Sequence, residues 1–279
     1  MTTSHEIVVV TGASTGIGAA TARELARRGF HVLAGVRRTI DADALRAPGI
    51  EPVILDITEP GHITELAARV HTLRALVNNA GISVNAPIEA LPLDEWRRLF
   101  EVNLFGHVAV TQALLPALLR GTGRVINISS VGGKIAMATY GPYAGTKFAL
   151  EAVSDALRRE LAPSGVRVVV VEPGGVRTAM ADRGIATTSR LAAAMSPEHQ
   201  QRYGPLVRAV IKQATAFTAS GTSAEDAAKV IAEAVTTAKP RARYPVGRDA
   251  ALLTRLSRML PDRLLDRVVT LGLRPHYGS

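Results

Sequence analysis

Short apolar runs alternate along most of this chain with longer stretches in which apolar residues recur at helical spacing. The short runs are typical of strands buried on both faces of a parallel sheet, and the stretches between them are typical of amphipathic helices. This alternation, with right-handed crossovers, predicts an α/β fold: a doubly wound parallel sheet with helices on both faces. The predicted strands lie at 6–10, 31–38, 52–55, 75–77, 124–128 and 166–171, and 243–246 would complete about seven.

Several predicted segments do not fit a simple alternation of short strands and helices. One amphipathic helix is expected over 93–119 and another over 223–237. The region 179–222 is punctuated by Gly184, Pro197 and Gly204, with a helix expected over 198–217, and such an excursion after a sheet strand is typical of a lid or substrate-binding segment. The tail 250–279 is basic and amphipathic, which fits packing on the body or on another subunit, or contact with a membrane surface. No Gly/Ser/Pro-rich linker divides the chain, so we expect one domain over 1–279.

Composition narrows the possible chemistry. The chain has no cysteine, which excludes a thiolate nucleophile, a disulfide framework and a cysteine metal site, and we predict no metal. A net charge of +9 raises the question of nucleic acid, but the arginines are spread along predicted helices beside acidic residues, so nucleic acid is not an expected partner. The N-terminal residues are too few for a signal peptide and no apolar run is judged long enough to span a bilayer, so we expect a cytoplasmic protein.

A glycine-rich turn links the first predicted strand to the first predicted helix. In that context the glycines allow close approach to a phosphate, and the helix start offers unpaired N–H groups and a positive dipole end. We therefore predict a dinucleotide cradle in which the contacting residues are Gly12, Ser14, Thr15, Gly16, Ile17 and Gly18.

The end of the second predicted strand bears on the choice of dinucleotide. An acidic residue there would bind the ribose 2′-OH of NAD(H), whereas here Val36 is followed by Arg37 and Arg38, whose guanidinium groups suit a 2′-phosphate. We predict NADP(H). Arg38 could instead be only a solvated strand end, and Asp41 and Asp43 just beyond keep NAD(H) open.

Tyr143 and Lys147 are four residues apart and therefore share one face of a helix. A positive charge roughly 4–5 Å from a phenol, at an effective dielectric of about 20, would lower its pKa by about 2–3 units. That makes Tyr143 a candidate acid and base. Polar residues at other predicted strand ends, among them Ser129 and Ser130, would lie on the same edge of the sheet.

Taken in order, these residues resemble the short-chain dehydrogenase/reductase family, in its short single-domain branch with a Rossmann-type fold. The resemblance covers about 7–178 and rests on Thr11-Gly12-x-x-x-Gly16-Ile17-Gly18, Asn78-Asn79-Ala80-Gly81, Asn103, Ser130, Tyr143-x-x-x-Lys147 and Pro173-Gly174. It implies that Tyr143 exchanges a proton with the substrate oxygen, that Lys147 lowers the pKa of Tyr143 and binds the nicotinamide ribose, and that Ser130 orients the substrate. Asn103 would hold a water connecting Lys147 to solvent.

The resemblance also implies cofactor contacts and partners. Asp56 and Ile57 would recognise adenine, Asn78 would brace the central strands, and Asn79, Ala80 and Gly81 would pass close to the cofactor. Further contacts are implied for Pro173, Gly174, Val176 and Thr178. A homodimer or homotetramer assembled through the helices bearing Asn103 and Tyr143 is implied as well. Ser129 competes with Ser130, and Tyr140 with Tyr143, but Tyr140 lacks a lysine four residues on.

The combined prediction is an NADP(H)-dependent oxidoreductase that interconverts a carbonyl and an alcohol on a largely apolar small molecule. The likeness is to members acting on steroids, retinoids and similar lipophilic alcohols. The substrate pocket is predicted to involve Ser83, Val84, Val131, Met137 and Met180. The alternative is a non-catalytic NADP(H)-binding sensor or scaffold protein of the same fold.

Overall fold

The predicted doubly wound sheet is confirmed in a computed structural model, which describes residues 6–277. Within that range seven parallel strands have the order β3-β2-β1-β4-β5-β6-β7. The strands are β1 Ile7–Val10, β2 His31–Val36, β3 Ile50–Ile54, β4 Ala75–Asn78, β5 Arg124–Ile128, β6 Arg167–Pro173 and β7 Arg243–Val246. The chain moves outward in one direction from β1 to β3 and in the other from β4 to β7, so a crevice opens at the carboxyl ends of β1 and β4.

Helices cover both faces of this sheet. Their bounds are α1 Gly16–Arg27, α2 Thr39–Leu45, α3 Pro60–Arg69, α4 Leu93–Phe100, α5 Gly106–Arg120, α6 Gly141–Glu160, α7 Ala179–Ala193, α8 Pro197–Ala219, α9 Ala224–Thr236, α10 Arg248–Met259 and α11 Asp262–Leu273. Val8 and Val10 point into a core shared with α1 and α9, whereas Val9 points into a core shared with α3 and α5. Burial on both faces is why these strands are continuously apolar rather than alternating.

The helix expected over 93–119 differs from a regular α-helix. A π-helical turn, Glu101–Phe105, separates α4 from α5 and carries Asn103. The combined stretch Leu93–Arg120 would be long and apolar enough to cross a bilayer, with a mean hydropathy of 1.5 over its best window, so the expectation that no such run exists is wrong. Half of that window is buried in the protein, and Leu114 and Leu118 are at most 1% exposed, so it packs as a core helix.

The segment 179–222 folds into two helices, α7 and α8, where one was expected. It leaves β6 and returns through a parallel bridge between Val176 and Thr222, so both ends of the excursion are fixed beside the carboxyl end of that strand. The tail forms α10 and α11. The predicted dimer or tetramer stays a prediction; Phe105 and Phe148 are about half exposed on the helical surfaces it would use.

Candidate active site

One cavity of about 540 Å³ runs along the carboxyl edge of the sheet and is closed on one side by α7 and α8. It brings together most of the residues singled out in the sequence. The predicted residues that line it are Gly12, Ser14, Thr15, Gly16, Ile17, Gly18, Arg37, Asp56, Ile57, Asn79, Ala80, Gly81, Ser83, Ser130, Val131, Met137, Tyr143, Lys147, Pro173, Gly174, Val176, Thr178 and Met180. Val84, Arg38 and Asn103 are not among its lining residues.

The glycine-rich turn after β1 has a backbone that only glycine satisfies. Gly12 has φ +63°, and a Cβ added there would lie 2.6 Å from Ala80 Cα. A Cβ on Gly18 would lie 2.4 Å from the carbonyl oxygen of Gly12. No side chain caps the N-terminus of α1 and its first turn carries no acidic residue, so the N–H groups there suit a phosphate.

Thr11 and Asn79 join this turn to the loop after β4. The Thr11 hydroxyl oxygen accepts hydrogen bonds from the backbone N–H groups of Asn79 and Ala80, each at 3.0 Å. The side-chain amide of Asn79 donates to the carbonyl oxygens of Thr11 at 2.9 Å and Gly12 at 3.0 Å. The two loops that flank the crevice are therefore one rigid unit before any ligand binds.

Asn78 and His107 hold the same loop from behind. The Asn78 amide donates to Thr111 on α5 and to Asn127 on β5, both at 2.9 Å, which matches the bracing role implied for it. His107 Nε2 lies 2.6 Å from the carbonyl oxygen of Ala80. Burial lowers the pKa of His107 to about 3, so the ring is neutral and donates this bond.

The side chains of Arg37 and Arg38, at the end of β2, point to different surroundings. Arg37 lines the cavity, whereas the exposed Arg38 pairs with Asp41 at 2.7 Å. The prediction that Arg38 also faces the cofactor is not supported by this geometry, because its guanidinium is committed to the first turn of α2. The pair also holds the pKa of Asp41 below its usual range, with smaller contributions from Arg37 and from Arg183 of α7.

Arg183 is a cavity residue that the sequence did not reveal. It lines the cavity from α7, and its effect on Asp41 places its charge near the end of β2. Nothing at the level of spacing could have found it, because α7 reaches this place only after the 179–222 segment has folded over the sheet edge. Tyr140, Phe217 and Arg98 line the same cavity and were likewise not assigned to it.

Ser130, Tyr143 and Lys147 are brought together by β5 and α6. All three side chains are buried, with Tyr143 and Ser130 each 9% exposed and Lys147 5% exposed. Ser130 accepts a hydrogen bond from Gly132 N–H at 3.0 Å and interacts with the Tyr143 hydroxyl. The neighbouring Ser129 hydroxyl has no hydrogen-bond partner among the described residues. The contact with Tyr143 therefore favours Ser130 of the two serines.

The predicted downward shift of the Tyr143 pKa is not found in this geometry. Burial raises the pKa of Tyr143 to about 12, although the hydrogen bond with Ser130 acts in the opposite direction. Lys147 Nζ donates to the Ile128 carbonyl oxygen at 2.9 Å and lies 5.8 Å from the centre of the Tyr143 ring. Burial lowers the pKa of Lys147 to about 8. Desolvation of both groups thus outweighs the attraction estimated from spacing alone.

Asn103 is fully buried and braces the site from outside the cavity. Its side-chain oxygen accepts from Ile82 N–H, and its amide donates to Ile82 O, both at 2.9 Å, and to the Thr146 hydroxyl at 3.2 Å. Asn103 therefore ties the loop after β4 to the helix that carries Tyr143 and Lys147. The π-helical turn is what presents its side chain between these two elements.

A buried group of charges anchors α6 one turn beyond Lys147. Glu151, one turn after Lys147, pairs with Lys134 at 2.6 Å and with Arg243 of β7 at 3.0 Å. Burial and the nearby Glu151 raise the pKa of Glu172, and Arg243 lies 3.4 Å from it. These contacts fix α6 against β6 and β7, and hence fix the Lys147 stem.

The cavity has several apolar lining residues. Val131, Met137 and Met180 line it together with Ser83, as predicted, and Phe217 adds an aromatic wall from α8. Val84 was predicted to line the substrate pocket, and this is wrong. It is 1% exposed and packs in a separate cluster with Ala86, Leu91 and Leu99. Its neighbours Ser83 and Asn85 both line the cavity, so the extended backbone directs the intervening side chain away.

The chain matches the family model described as short chain dehydrogenase over residues 6–188. It is 36% identical to retinol dehydrogenase 5 of Mus musculus, covering 96% of this chain and 88% of that protein. It is 33% identical to the NADPH-dependent 3-dehydrocapnine reductase of Ornithobacterium rhinotracheale, with 93% and 94% covered.

Two solved structures show the same fold. A short chain dehydrogenase from Burkholderia cenocepacia in complex with NADP is 26% identical, with TM-score 0.76 and 95% and 97% of the two chains covered. A short chain dehydrogenase/reductase from Burkholderia phymatum in complex with NAD is 23% identical, with TM-score 0.76 and 90% and 92% covered. The fold therefore occurs with either nicotinamide dinucleotide.

Proposed function

Because this chain belongs to the short-chain dehydrogenase family, we propose that it is an NADP(H)-dependent oxidoreductase that interconverts a carbonyl and an alcohol on a largely apolar small molecule. The single observation that carries the proposal is the shared cavity: Tyr143, Ser130 and Lys147 line it together with the glycine-rich cradle. A proton donor and a dinucleotide site in one enclosed space suit hydride chemistry.

The residues of the cradle fit a nicotinamide dinucleotide. Gly12 and Gly18 leave space that any Cβ would fill, and the uncapped start of α1 offers N–H groups to the pyrophosphate. Asp56 and Ile57 would hold the adenine, and Val176 and Thr178 the carboxamide end. When bound, the dinucleotide supplies or accepts the hydride.

The 2′-phosphate preference rests on positive charge at the end of β2. Arg37 and Arg183 both line the cavity, and the carboxylate of Asp41 is already paired with Arg38. An unpaired Asp41 carboxylate would repel the 2′-phosphate, but the ion pair with Arg38 offsets its charge. The guanidinium groups of Arg37 and Arg183 would then bind the 2′-phosphate. The NADPH-dependent reductase relative supports the same preference.

Tyr143 is the proton donor in this proposal. With its pKa raised to about 12 by burial, it is protonated at neutral pH and can give its proton to the oxygen of a carbonyl that is being reduced. The Ser130 hydroxyl would hold the same oxygen, so that two donors meet the negative charge as it develops. Lys147 and Asn103 would orient the site, Lys147 through the nicotinamide ribose and Asn103 through its bonds to Ile82 and Thr146.

The substrate end supports an apolar molecule. Met137, Met180, Val131 and Phe217 offer no charged contact, and Ser83 is the small polar group beside them. Retinol dehydrogenase 5 among the relatives supports a retinoid- or steroid-like alcohol or carbonyl.

A direct test follows NADPH absorbance with a panel of retinoid, steroid, aliphatic and quinone carbonyls, with NADH in parallel. We expect turnover with lipophilic carbonyls and a higher kcat/KM for NADPH. Turnover confined to charged, hydrophilic carbonyls would contradict the substrate class, and equal kcat/KM values for the two cofactors would contradict the cofactor preference.

A further inference from the structure

Helix α11 presents an apolar stripe to solvent. Leu264, Val268 and Leu271 are 43%, 38% and 55% exposed, and their spacing of four and three residues places them within roughly 60° of arc on one helix face. The opposite side of the helix packs on the body, where Leu273 is buried against Ala209 of α8. The exposed stripe is therefore a second apolar surface that the packing of the tail leaves uncovered.

Charge is segregated around this stripe. Arg263 and Arg267 lie along one flank of it at helical spacing, and Arg274 continues that flank as the αR cap residue directly after the helix. All three are exposed. Asp262 and Asp266 fall on the opposite side of the same helix. An apolar stripe bordered by arginines, with the carboxylates turned away, is complementary to a negatively charged, apolar layer.

Helix α11 also lies close to the cavity. It rests on α8, where the Gln213 side chain donates to the Gly272 carbonyl oxygen at 2.9 Å. The next residues of α8, including Ala214, Phe217 and Thr218, line the cavity. One helix thus separates the stripe from the apolar wall of the site.

We propose that the α11 face formed by Leu264, Val268, Leu271, Arg263 and Arg267, together with Arg274 directly after the helix, docks on the surface of an anionic lipid bilayer. A second copy of the chain is a poorer occupant, because self-pairing of this face would bring its arginines against one another on a chain whose net charge is +9. Docking through α11 places α8 and the apolar end of the cavity next to the membrane, where a lipophilic molecule is concentrated. This proposal does not depend on the identity of the substrate, because membrane binding can be measured without turnover.

The test is co-sedimentation of the full-length chain with vesicles of phosphatidylcholine alone or mixed with phosphatidylglycerol. We expect binding to the anionic vesicles that weakens as salt is added. Arg263→Gln/Arg267→Gln should lower the partition coefficient by roughly 25-fold, about fivefold for each arginine. Val268→Ser/Leu271→Ser should lower it by about tenfold or more.

Two control variants lose the same number of arginines or apolar side chains as the α11 variants, but from other helices. Arg27→Gln/Arg97→Gln removes two exposed arginines from α1 and α4, and Ile40→Ser/Leu93→Ser removes two exposed apolar side chains from α2 and α4. Both controls should bind vesicles as the unaltered chain does. Thermal unfolding of every variant checks that each is folded.

Three outcomes would overturn the proposal. The first is absence of binding to anionic vesicles at low salt. The second is equal loss of binding in the α11 variants and their controls. The third is a change of molecular mass in size-exclusion chromatography caused by Val268→Ser/Leu271→Ser, which would make this face an interface between copies.

Discussion

Lys147 holds its ammonium 5.8 Å from the centre of the Tyr143 ring, one helical turn away, while donating a hydrogen bond to the Ile128 backbone. The cation is therefore tied to β5, and Tyr143 retains its proton in this geometry because burial raises its pKa to about 12. A protonated, buried phenol is set up as an acid. That protonation state suits the proposed reduction of a carbonyl, in which Tyr143 would give up its proton.

Replacement of Tyr143 by Phe should abolish most carbonyl reduction. The change removes only the hydroxyl from a buried ring, so the fold and the dinucleotide cradle remain, while the acid is lost. We expect kcat to fall by about 10²–10⁴-fold, with the Kd for NADPH changed by less than about twofold. Single-turnover reduction and fluorescence titration with NADPH measure the two quantities.

Tyr140→Phe is the matched control. Tyr140 lines the same cavity and burial also raises its pKa, but it has no lysine one turn further along α6. Its removal should leave kcat within a few-fold of the original. Retained turnover in the Tyr143 variant would contradict the assigned acid, whereas absence of turnover in the unaltered chain would favour the non-catalytic binding protein.

The two arginines after β2 should differ in their effect on cofactor choice. Arg37→Asp removes a guanidinium from the cavity and adds a repelling carboxylate, so the ratio of kcat/KM for NADPH to that for NADH should fall by about 10²-fold or more. Arg38→Asp makes the same change of charge beside it, but the side chain is outside the cavity. Its ratio should fall by only about fivefold, because the new carboxylate and the Asp41 carboxylate that it leaves unpaired act on the phosphate from outside the cavity. Equal shifts in both variants would show that local charge, not contact, sets the preference.

The sequence predicted the structure best where the surroundings accept only one type of residue. Gly12 and Gly18 were found because no other residue fits their surroundings, and the apolar runs located all seven strands because both faces of the sheet are buried. Arg183 was missed, since only the folding of the 179–222 segment brings it near the end of β2. The prediction for Val84 failed because the sequence does not say which side of an extended segment faces the cavity.

The Tyr143 and Lys147 pair shows that the sequence could not predict the pKa values of the site. Their spacing fixed a common helix face, but the pKa of each depends on how much water the folded chain removes. Burial of both groups could not be read from four residues of separation. Likewise, the apolar pattern indicated a helix over 93–119, but it did not indicate the π-helical turn that places Asn103 against Thr146 of α6.

Arg183 offers a separate test of how the 179–222 segment meets the cofactor. Arg183→Ala should raise the Kd for NADPH by about 10- to 100-fold, since a hydrogen bond to a charged group contributes roughly 1.5–3 kcal/mol, and should leave the Kd for NADH nearly unchanged. Arg190→Ala, an exposed arginine on the same helix, is the control. Isothermal titration of both variants makes the comparison, and equal weakening of NADPH and NADH by Arg183→Ala would point to the pyrophosphate rather than the 2′-phosphate.

Burial of Lys147 predicts a rise in stability with pH. Its pKa in the folded chain is lowered to about 8, below the ordinary value of about 10.4 in an unfolded chain. Between these values the unfolded chain holds a proton that the folded chain has released, so the free energy of unfolding increases with pH. From about pH 7.5 to 9.5 the contribution is about 2 kcal/mol. Urea unfolding across that range measures it.

Lys147→Met should remove this rise, because the methionine side chain fills a similar volume without a titrating group. Lys229→Met is the control: Lys229 is exposed and its hydrogen bond with Asp226 raises its pKa, so it stays protonated in both states over most of this range. That variant should keep the slope of the original chain. A Lys147→Met protein with an unchanged slope would mean that Lys147 is solvated in the folded state, and the protonated Tyr143 would then have to be reconsidered with it, since both pKa shifts come from the same desolvation.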